Sequence, residues 1–194
     1  MSRIKLIAIM GPAGSGKDTI LKEVVKQKPE WHKIVNYTTR PQRENELNHY
    51  NYHFINKNEF FEKIAKDEFL EYNEFKQWWY GTSITDFNTE TINIGIFSPA
   101  AIRKIIRNYN REIDIQIFRI DASDKTRISR QLNREKYPNI DEIFRRFYAD
   151  KNDFSHKMTN EYFFCCPLRN ETEEDINECV KDIIDVGGGN LGQN

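Results

Sequence analysis

The chain has 194 residues, 38% hydrophobic and 30% charged, which suits one globular domain with a real core and room for a lid or an insertion. Its 29 Lys and Arg against 30 Asp and Glu leave a net charge of -1, which excludes a whole-molecule field drawing it to nucleic acid or to an anionic membrane. Three cysteines, none at metal-ligand spacing, exclude a disulfide framework and read as small buried side chains.

The first predicted element is a buried strand, IKLIAIM. It is too short to span a membrane and has no signal-peptide cleavage site, which points to a cytoplasmic protein. It leads directly into GPAGSGKDT, made of Gly11, Pro12, Ala13, Gly14, Ser15, Gly16, Lys17, Asp18 and Thr19. Gly11, Gly16 and Lys17 fit the pattern G-x-x-x-x-G-K-[ST], and helical periodicity follows to about Val25. In such a strand–loop–helix unit the backbone N–H groups cradle nucleotide phosphates and Lys17 adds a point charge. The pattern asks for Ser or Thr at Asp18, and the hydroxyl comes one place later, at Thr19. Two readings of Asp18 stand side by side. It supplies a carboxylate to a magnesium shell, or it begins the helix, where negative charge suits the dipole.

HKIVNY reads as a second strand, and residues 38 to 51 as a polar loop. NKNEFFEKIAKDEF reads as a helix with Phe60, Ile64 and Phe61 on its apolar face, and FLEYNEFKQWWYGT as aromatic, alternating strands. After the strand ETINIGIF, Ser98 and Pro99 open a helix as N-cap and first residue. EIDIQIFRI alternates through Ile113, Ile115 and Ile117 as a strand. Basic helices follow over roughly 124 to 135 and 140 to 155, then a strand EYFFCC and a helix EEDINECVKDIID. GGGNLGQN reads as a disordered tail. Alternating strands and helices predict an α/β fold with a mostly parallel sheet. Residues 38 to 90 interrupt the alternation, as an inserted substrate-binding subdomain does.

The loop is followed, in order, by TTRPQR, YHF, EFLEYNEF and YGT. With it, these motifs resemble the guanylate kinases in order and nearly in spacing, over Ile4 to about Asp185 and most closely over residues 8 to 82. The resemblance implies a phosphate-loop NTPase core over 1–36, 91–123 and 156–186, a monophosphate-binding insertion over about 37–90, an arginine-rich lid over about 124–155, and a tail from 187. The activity implied is phosphoryl transfer from ATP, with Mg2+, to GMP or dGMP. The partners implied are small nucleotides, with no nucleic acid or membrane.

By position, the resemblance makes Arg40 and Arg43 holders of the acceptor phosphate, helped by Tyr52 and Tyr80. It makes Glu71 the reader of guanine and sets Asn36, Thr82 and Asn93 around the base. Arg130, Arg134 and Arg146 become lid clamps beside Lys17, with Arg145 a competitor for the last position. The chain departs from the family where Asn93 and Gly95 stand for expected acids, where Asn36 replaces a usual Ser, and around FFCCP, which offers no match for the family's Asn near the donor adenine.

The chemistry of these residues agrees. A nucleoside monophosphate is a dianion above its second pKa of about 6 and is already nucleophilic at neutral pH. Its site must join two anions and absorb spreading charge, which calls for Arg, Lys and magnesium rather than a His or Ser nucleophile. Two other readings remain: a monophosphate kinase of broader base preference, and a non-catalytic protein-binding module of the same fold.

Overall fold

The computed structural model describes residues 3–42, 44, 46–75, 77–134, 136–155 and 165–189. Two sheets organise them. The larger is five-stranded and parallel, in the order β2-β7-β1-β8-β9, with β1 Ile4–Met10, β2 His32–Lys33, β7 Ile92–Ile96, β8 Ile113–Asp121 and β9 Cys166–Arg169. The smaller has the order β4-β3-β6-β5, with β3 Tyr37–Thr38, β4 His53–Phe54, β5 Phe69–Phe75 and β6 Trp78–Ser83. The helices are α1 Lys17–Gln27, α2 Lys57–Ala65, α3 Pro99–Tyr109, α4 Asp124–Leu132, α5 Ile140–Asp153 and α6 Glu173–Gly189.

The central strand explains why the larger sheet is covered on both sides. Successive residues of β1 point to opposite faces. Ile7 and Ile9 pack with Ile20 and Val24 of α1 and with Cys179, Val180 and Ile183 of α6. Leu6, Ala8 and Met10 pack with Ile102 and Ile105 of α3 and with Leu70 of β5. Each fully buried aliphatic side chain contributes about 1.5–3 kcal/mol, so this strand alone anchors both layers. No helix among the described residues is long and apolar enough to cross a membrane.

Several local expectations change. HKIVNY is not one strand, because the chain crosses between sheets within it. Ile34 still bonds to Ile94 of the core, whereas Thr38 already accepts from Ile55 in the insertion. The strand expected at EYFFCC is observed as Cys166–Arg169, and residues 161 to 164 lie outside the described set. Pro167 is tolerated there because β9 is an edge strand. In α2, Phe60 is buried while Phe61 is exposed and sets its ring edge-on to Trp79 at 5.1 Å. Asn56 closes that helix's start with a capping box.

The last helix runs into the stretch expected to be a tail from residue 187. Gly187, Gly188 and Gly189 continue α6, and residues 190 to 194 lie outside the described set. The reason is packing. Gly187 is buried, and a side chain there would run into Ile7, with Trp31 at 3.5 Å. Gly188 has ordinary room, its nearest neighbour being Trp31 at 4.0 Å. Gly187→Val should therefore cost about 1–3 kcal/mol by overpacking. Gly188→Ala should add roughly 0.5–1 kcal/mol through helix propensity. Urea denaturation of the two variants checks both signs; equal shifts would mean that Gly187 is not a packing position.

Candidate active site

The loop Gly11–Gly16 leaves β1 at the carboxyl edge of the parallel sheet, where ligands of such sheets gather. Gly14 and Gly16 have φ of +79° and +90°, a region open to glycine and costly for other residues. Gly16 also faces Asn170 so closely that a side chain would collide with its amide.

Gly16 is the N-cap of α1 and offers no side-chain cap. By contrast α2, α3, α4 and α5 are each capped by a side chain, from Asn56, Ser98, Ser123 and Asn139. The open amides of the first turn of α1 are thus left for an anion.

The loop is held from outside. Arg127 Nε donates to the Ala13 carbonyl at 3.1 Å. Arg130 Nη1 reaches the Gly14 and Ser15 carbonyls at 3.4 Å each and the Asn170 carbonyl at 3.0 Å. Asn170 Nδ2 donates to the Ser15 carbonyl at 2.7 Å. Asp150 of α5 accepts from Ala13 N–H at 2.7 Å and from Arg127 Nη2 at 2.8 Å. Helices α4 and α5 are therefore docked on the loop.

Three of these groups, Arg127 as a loop anchor, Asp150 and Asn170, were not singled out as site residues from the sequence. A lone acid in a basic helix and a lone Asn after an edge strand carry no local signal. Asn170 does supply, four residues beyond Cys166, an asparagine beside the loop that FFCCP itself lacks.

Lys17 rests its ammonium 3.5 Å from the Pro12 carbonyl. Asp18 and Thr19 are exposed on the first turn of α1, and no hydrogen bond or ion pair to Asp18 is found among the described residues. The Asp18 charge nevertheless reaches across the cleft. Burial lowers the Lys33 ammonium and Asp18 opposes it, while burial pushes the Tyr52 phenol up to about 12 with Asp18 adding to the effect. Lys33, another residue not anticipated, donates to the Tyr50 carbonyl at 2.7 Å and lies 3.7 Å from that ring's centroid.

Of the residues expected to hold the acceptor phosphate, Arg40 is mostly buried and gripped by Glu46 through two bonds of 2.8 and 2.9 Å. Its guanidinium lies 5.5 Å from the Tyr52 ring centroid, and Tyr52 meets Tyr80 edge-on at 6.1 Å. Arg40, Tyr52 and Tyr80 are thus brought together, whereas Arg43 lies outside the described residues. Behind them Thr82 is fully buried and Glu71 is 6% exposed. Thr82 Oγ1 lies 2.8 Å from Glu71 Oε1 and 3.0 Å from Asn36 Oδ1, and Asn36 Nδ2 donates to the Ile96 carbonyl at 2.8 Å. Glu71 Oε2 is buried with no hydrogen-bond partner. Burial raises the Glu71 carboxyl, against the Thr82 hydrogen bond and the charge of Lys104.

Asn93 leaves the set. It is fully buried, and its amide is spent on the backbone of Lys5, Asn88 and Thr91. It pairs in register with Leu6, well back from the loop. Nor is there room for an acid at Gly95, where a side chain would press on Ile34 and Phe97 at 3.0 and 3.1 Å. The lid arginines divide. Arg130 is bound to the loop's carbonyls, while Arg134 and Arg146 line a shallow depression with Gln131 and Glu142, and Arg146 Nε donates to Glu142 at 2.7 Å.

Comparison with known proteins adds a family. The model described as "Guanylate kinase" matches residues 3–186. The chain is 28% identical over 190 residues to a guanylate kinase of Prochlorococcus marinus subsp. pastoris, covering 94% of this chain and 96% of that protein. It is 32% identical over 165 residues to that of another Prochlorococcus marinus strain, covering 80% and 89%. A Nostoc sp. guanylate kinase matches at 44% over 78 residues, spanning 40% of this chain and 39% of that protein. A solved guanylate kinase from Anaplasma phagocytophilum shares the fold, with a TM-score of 0.68 at 17% identity over 100% of this chain and 89% of that one.

The Arg127–Asp150 pair sets the next prediction. Both side chains are largely buried, at 6% and 17% exposure. Arg127→Met strips Asp150 of its partner and frees the Ala13 carbonyl. It should cost toward the lower end of roughly 3–5 kcal/mol, because Asp150 keeps some solvent. Thermal denaturation measures the cost; a loss below that of an ordinary surface ion pair, about 0.5 kcal/mol, would show that the pair does not hold the loop.

Proposed function

The chain belongs to the guanylate kinase family, and from that premise we propose that it transfers the γ-phosphoryl group of ATP to GMP or dGMP, yielding ADP and the nucleoside diphosphate. The observation that carries the choice of guanine is the orphaned Glu71 Oε2, an acceptor stripped of water and given no protein partner. Guanine offers two adjacent donors, N1–H and the exocyclic amine, to such a carboxylate. Adenine turns a lone pair toward it.

The donor phosphates take the uncapped amides of α1 and the charge of Lys17. Arg40, Tyr52 and Tyr80 receive the acceptor phosphate, and Arg43 is assigned with them by position. Since Glu46 grips Arg40 through two hydrogen bonds, the incoming dianion competes with a carboxylate for it. Tyr52, its phenol held far from ionisation, enters as a hydrogen-bond donor. The acceptor oxygen needs no general base at neutral pH. The protein's part is to align two anions, exclude water through the lid and supply fixed positive charge from Lys17, Arg134 and Arg146. The retained Lys17 and the open helix start support an enzyme over a binding module. ATP and GMP belong to the cytoplasmic pool, which is the compartment this reading assigns.

Among the described residues, no cluster of three or more His, Cys, Asp or Glu gathers to hold an ion. Magnesium bound with a nucleotide needs only one or two carboxylates, the rest of its shell being phosphate and water. The unengaged Asp18, next to Lys17, fits that requirement and is the residue that would hold it. Bound there, the ion would neutralise phosphate charge.

A coupled assay with Mg-ATP and a panel of monophosphates tests the reading. GMP and dGMP should lead, and Lys17→Ala should lower kcat by roughly 100- to 1,000-fold with the fold intact. No ADP from any acceptor, or nearly full activity in Lys17→Ala, would refute it. Asp18→Ser should raise the magnesium concentration needed for half-maximal rate several-fold. An unchanged titration would leave Asp18 as a helix-start residue only.

A further inference from the structure

The contacts around Thr82 contain a conflict. A hydroxyl carries one proton, and Thr82 Oγ1 has two acceptors in reach, Glu71 Oε1 at 2.8 Å and Asn36 Oδ1 at 3.0 Å. Turning the Asn36 amide does not resolve it, because Nδ2 must face the Ile96 carbonyl, to which it donates at 2.8 Å. With Glu71 ionised, one of the two contacts sets lone pair against lone pair.

A proton on Glu71 Oε1 removes the conflict. Glu71 then donates to Thr82, Thr82 to Asn36, and Asn36 to Ile96, a chain polarised in one direction. It also explains Oε2. A buried oxygen without a partner is expensive as part of a carboxylate and much less so as the carbonyl of a neutral acid. Among the described residues, the charged group that acts on Glu71 is Lys104 of α3, whose ammonium is bonded to the Tyr72 carbonyl. It favours ionisation, but burial outweighs it and the Thr82 bond together.

We propose that Glu71 stores a proton in the nucleotide-free site, held by this chain through Thr82 and Asn36, and gives it up to solvent when guanine docks. The step rests on the reading of Glu71 as the guanine receptor. The acid O–H bond breaks, the proton passes to buffer, and both carboxylate oxygens become acceptors for N1–H and the exocyclic amine. Thr82 turns its proton from Asn36 to Glu71, and the lone-pair contact with Asn36 Oδ1 returns as a cost that the two guanine donors offset. Base choice therefore depends on pH. The neutral acid can donate to adenine N1, whereas the carboxylate repels it.

Infrared difference spectra of the intact protein at neutral pH test the stored proton. The free protein should show a neutral carboxylic acid band that vanishes on adding GMP and is missing from Glu71→Gln, whose fold is checked by circular dichroism. Thr82→Val should shift the band rather than remove it. Kinetics provide a second arm. The ratio of kcat/KM for GMP to that for AMP should fall by up to about tenfold per pH unit on acidification, and stay flat in Glu71→Gln. The phosphates of both nucleotides titrate alike, so they cancel in the ratio. No Glu71-dependent acid band in the free protein, a band that survives GMP whose binding calorimetry detects, or a flat wild-type ratio overturns the proposal. A free-protein band with no calorimetric heat from GMP overturns the guanine reading instead, and leaves the stored proton standing.

Discussion

Three consecutive peptide carbonyls, those of Ala13, Gly14 and Ser15, are each held from outside the phosphate loop by a side chain of another element. A planar trans peptide points its N–H opposite to its C=O, so pinning these carbonyls also fixes the directions of the Gly14, Ser15 and Gly16 amides, of which Ser15 N–H closes a turn onto the Pro12 carbonyl at 3.2 Å. Arg127 and Arg130 come from α4, and Asn170 from the segment after β9. The elements that hold the loop are thus widely separated in sequence. The pairing of β1 with β8 and the docking of the lid matter to chemistry because they converge on these few atoms. The Arg127–Asp150 pair tightens the grip by taking both faces of one residue, the Ala13 carbonyl and the Ala13 N–H.

The two halves of the site use different materials. The proposed donor side is built from backbone, glycine and helix start, materials that suit phosphate as such. The proposed acceptor side is built from side chains on and beside a small sheet, where Arg40, Tyr52 and Tyr80 are assigned to charge and Glu71, Thr82 and Asn36 to the base. Side-chain sites change their preference with single substitutions, backbone sites much less. The asparagine at position 36, where the family usually has serine, illustrates this. It adds a donor that bonds to the Ile96 carbonyl, which leaves its Oδ1 toward Thr82 Oγ1 at 3.0 Å.

Much of this was legible in the amino-acid order because the signals were local. Strand, glycine loop and helix are contiguous, Ser98 and Pro99 mark a helix start, and alternation through Ile113 to Ile117 marks a central strand. Non-local facts were not legible. Asn93 sits on the expected strand, but which end of a parallel strand faces the loop is decided by register with β1. Asp150 looks like any surface acid until α5 folds back on Ala13. Three glycines in a row read as a tail because propensity disfavours them in helices. The close approach of α6 to Ile7 and Trp31 outweighs that preference at Gly187. The strand expected at 32 to 37 is split by a topological crossing that no periodicity announces.

The packing of α6 also bears on how the molecule is made. Cys179, Val180 and Ile183 complete the layer begun by Ile7 and Ile9, more than 160 residues earlier in the chain. At a ribosome adding roughly 5–20 residues per second, the first strand must wait many seconds for that helix. During the wait one face of the central strand is covered by α1 alone. The phosphate loop, whose last anchor Asn170 is made only nine residues before Cys179, is not fully pinned until nearly the same moment. The nascent chain therefore has little means of gripping a nucleotide before its core can close, and competence to bind arrives together with the finished fold.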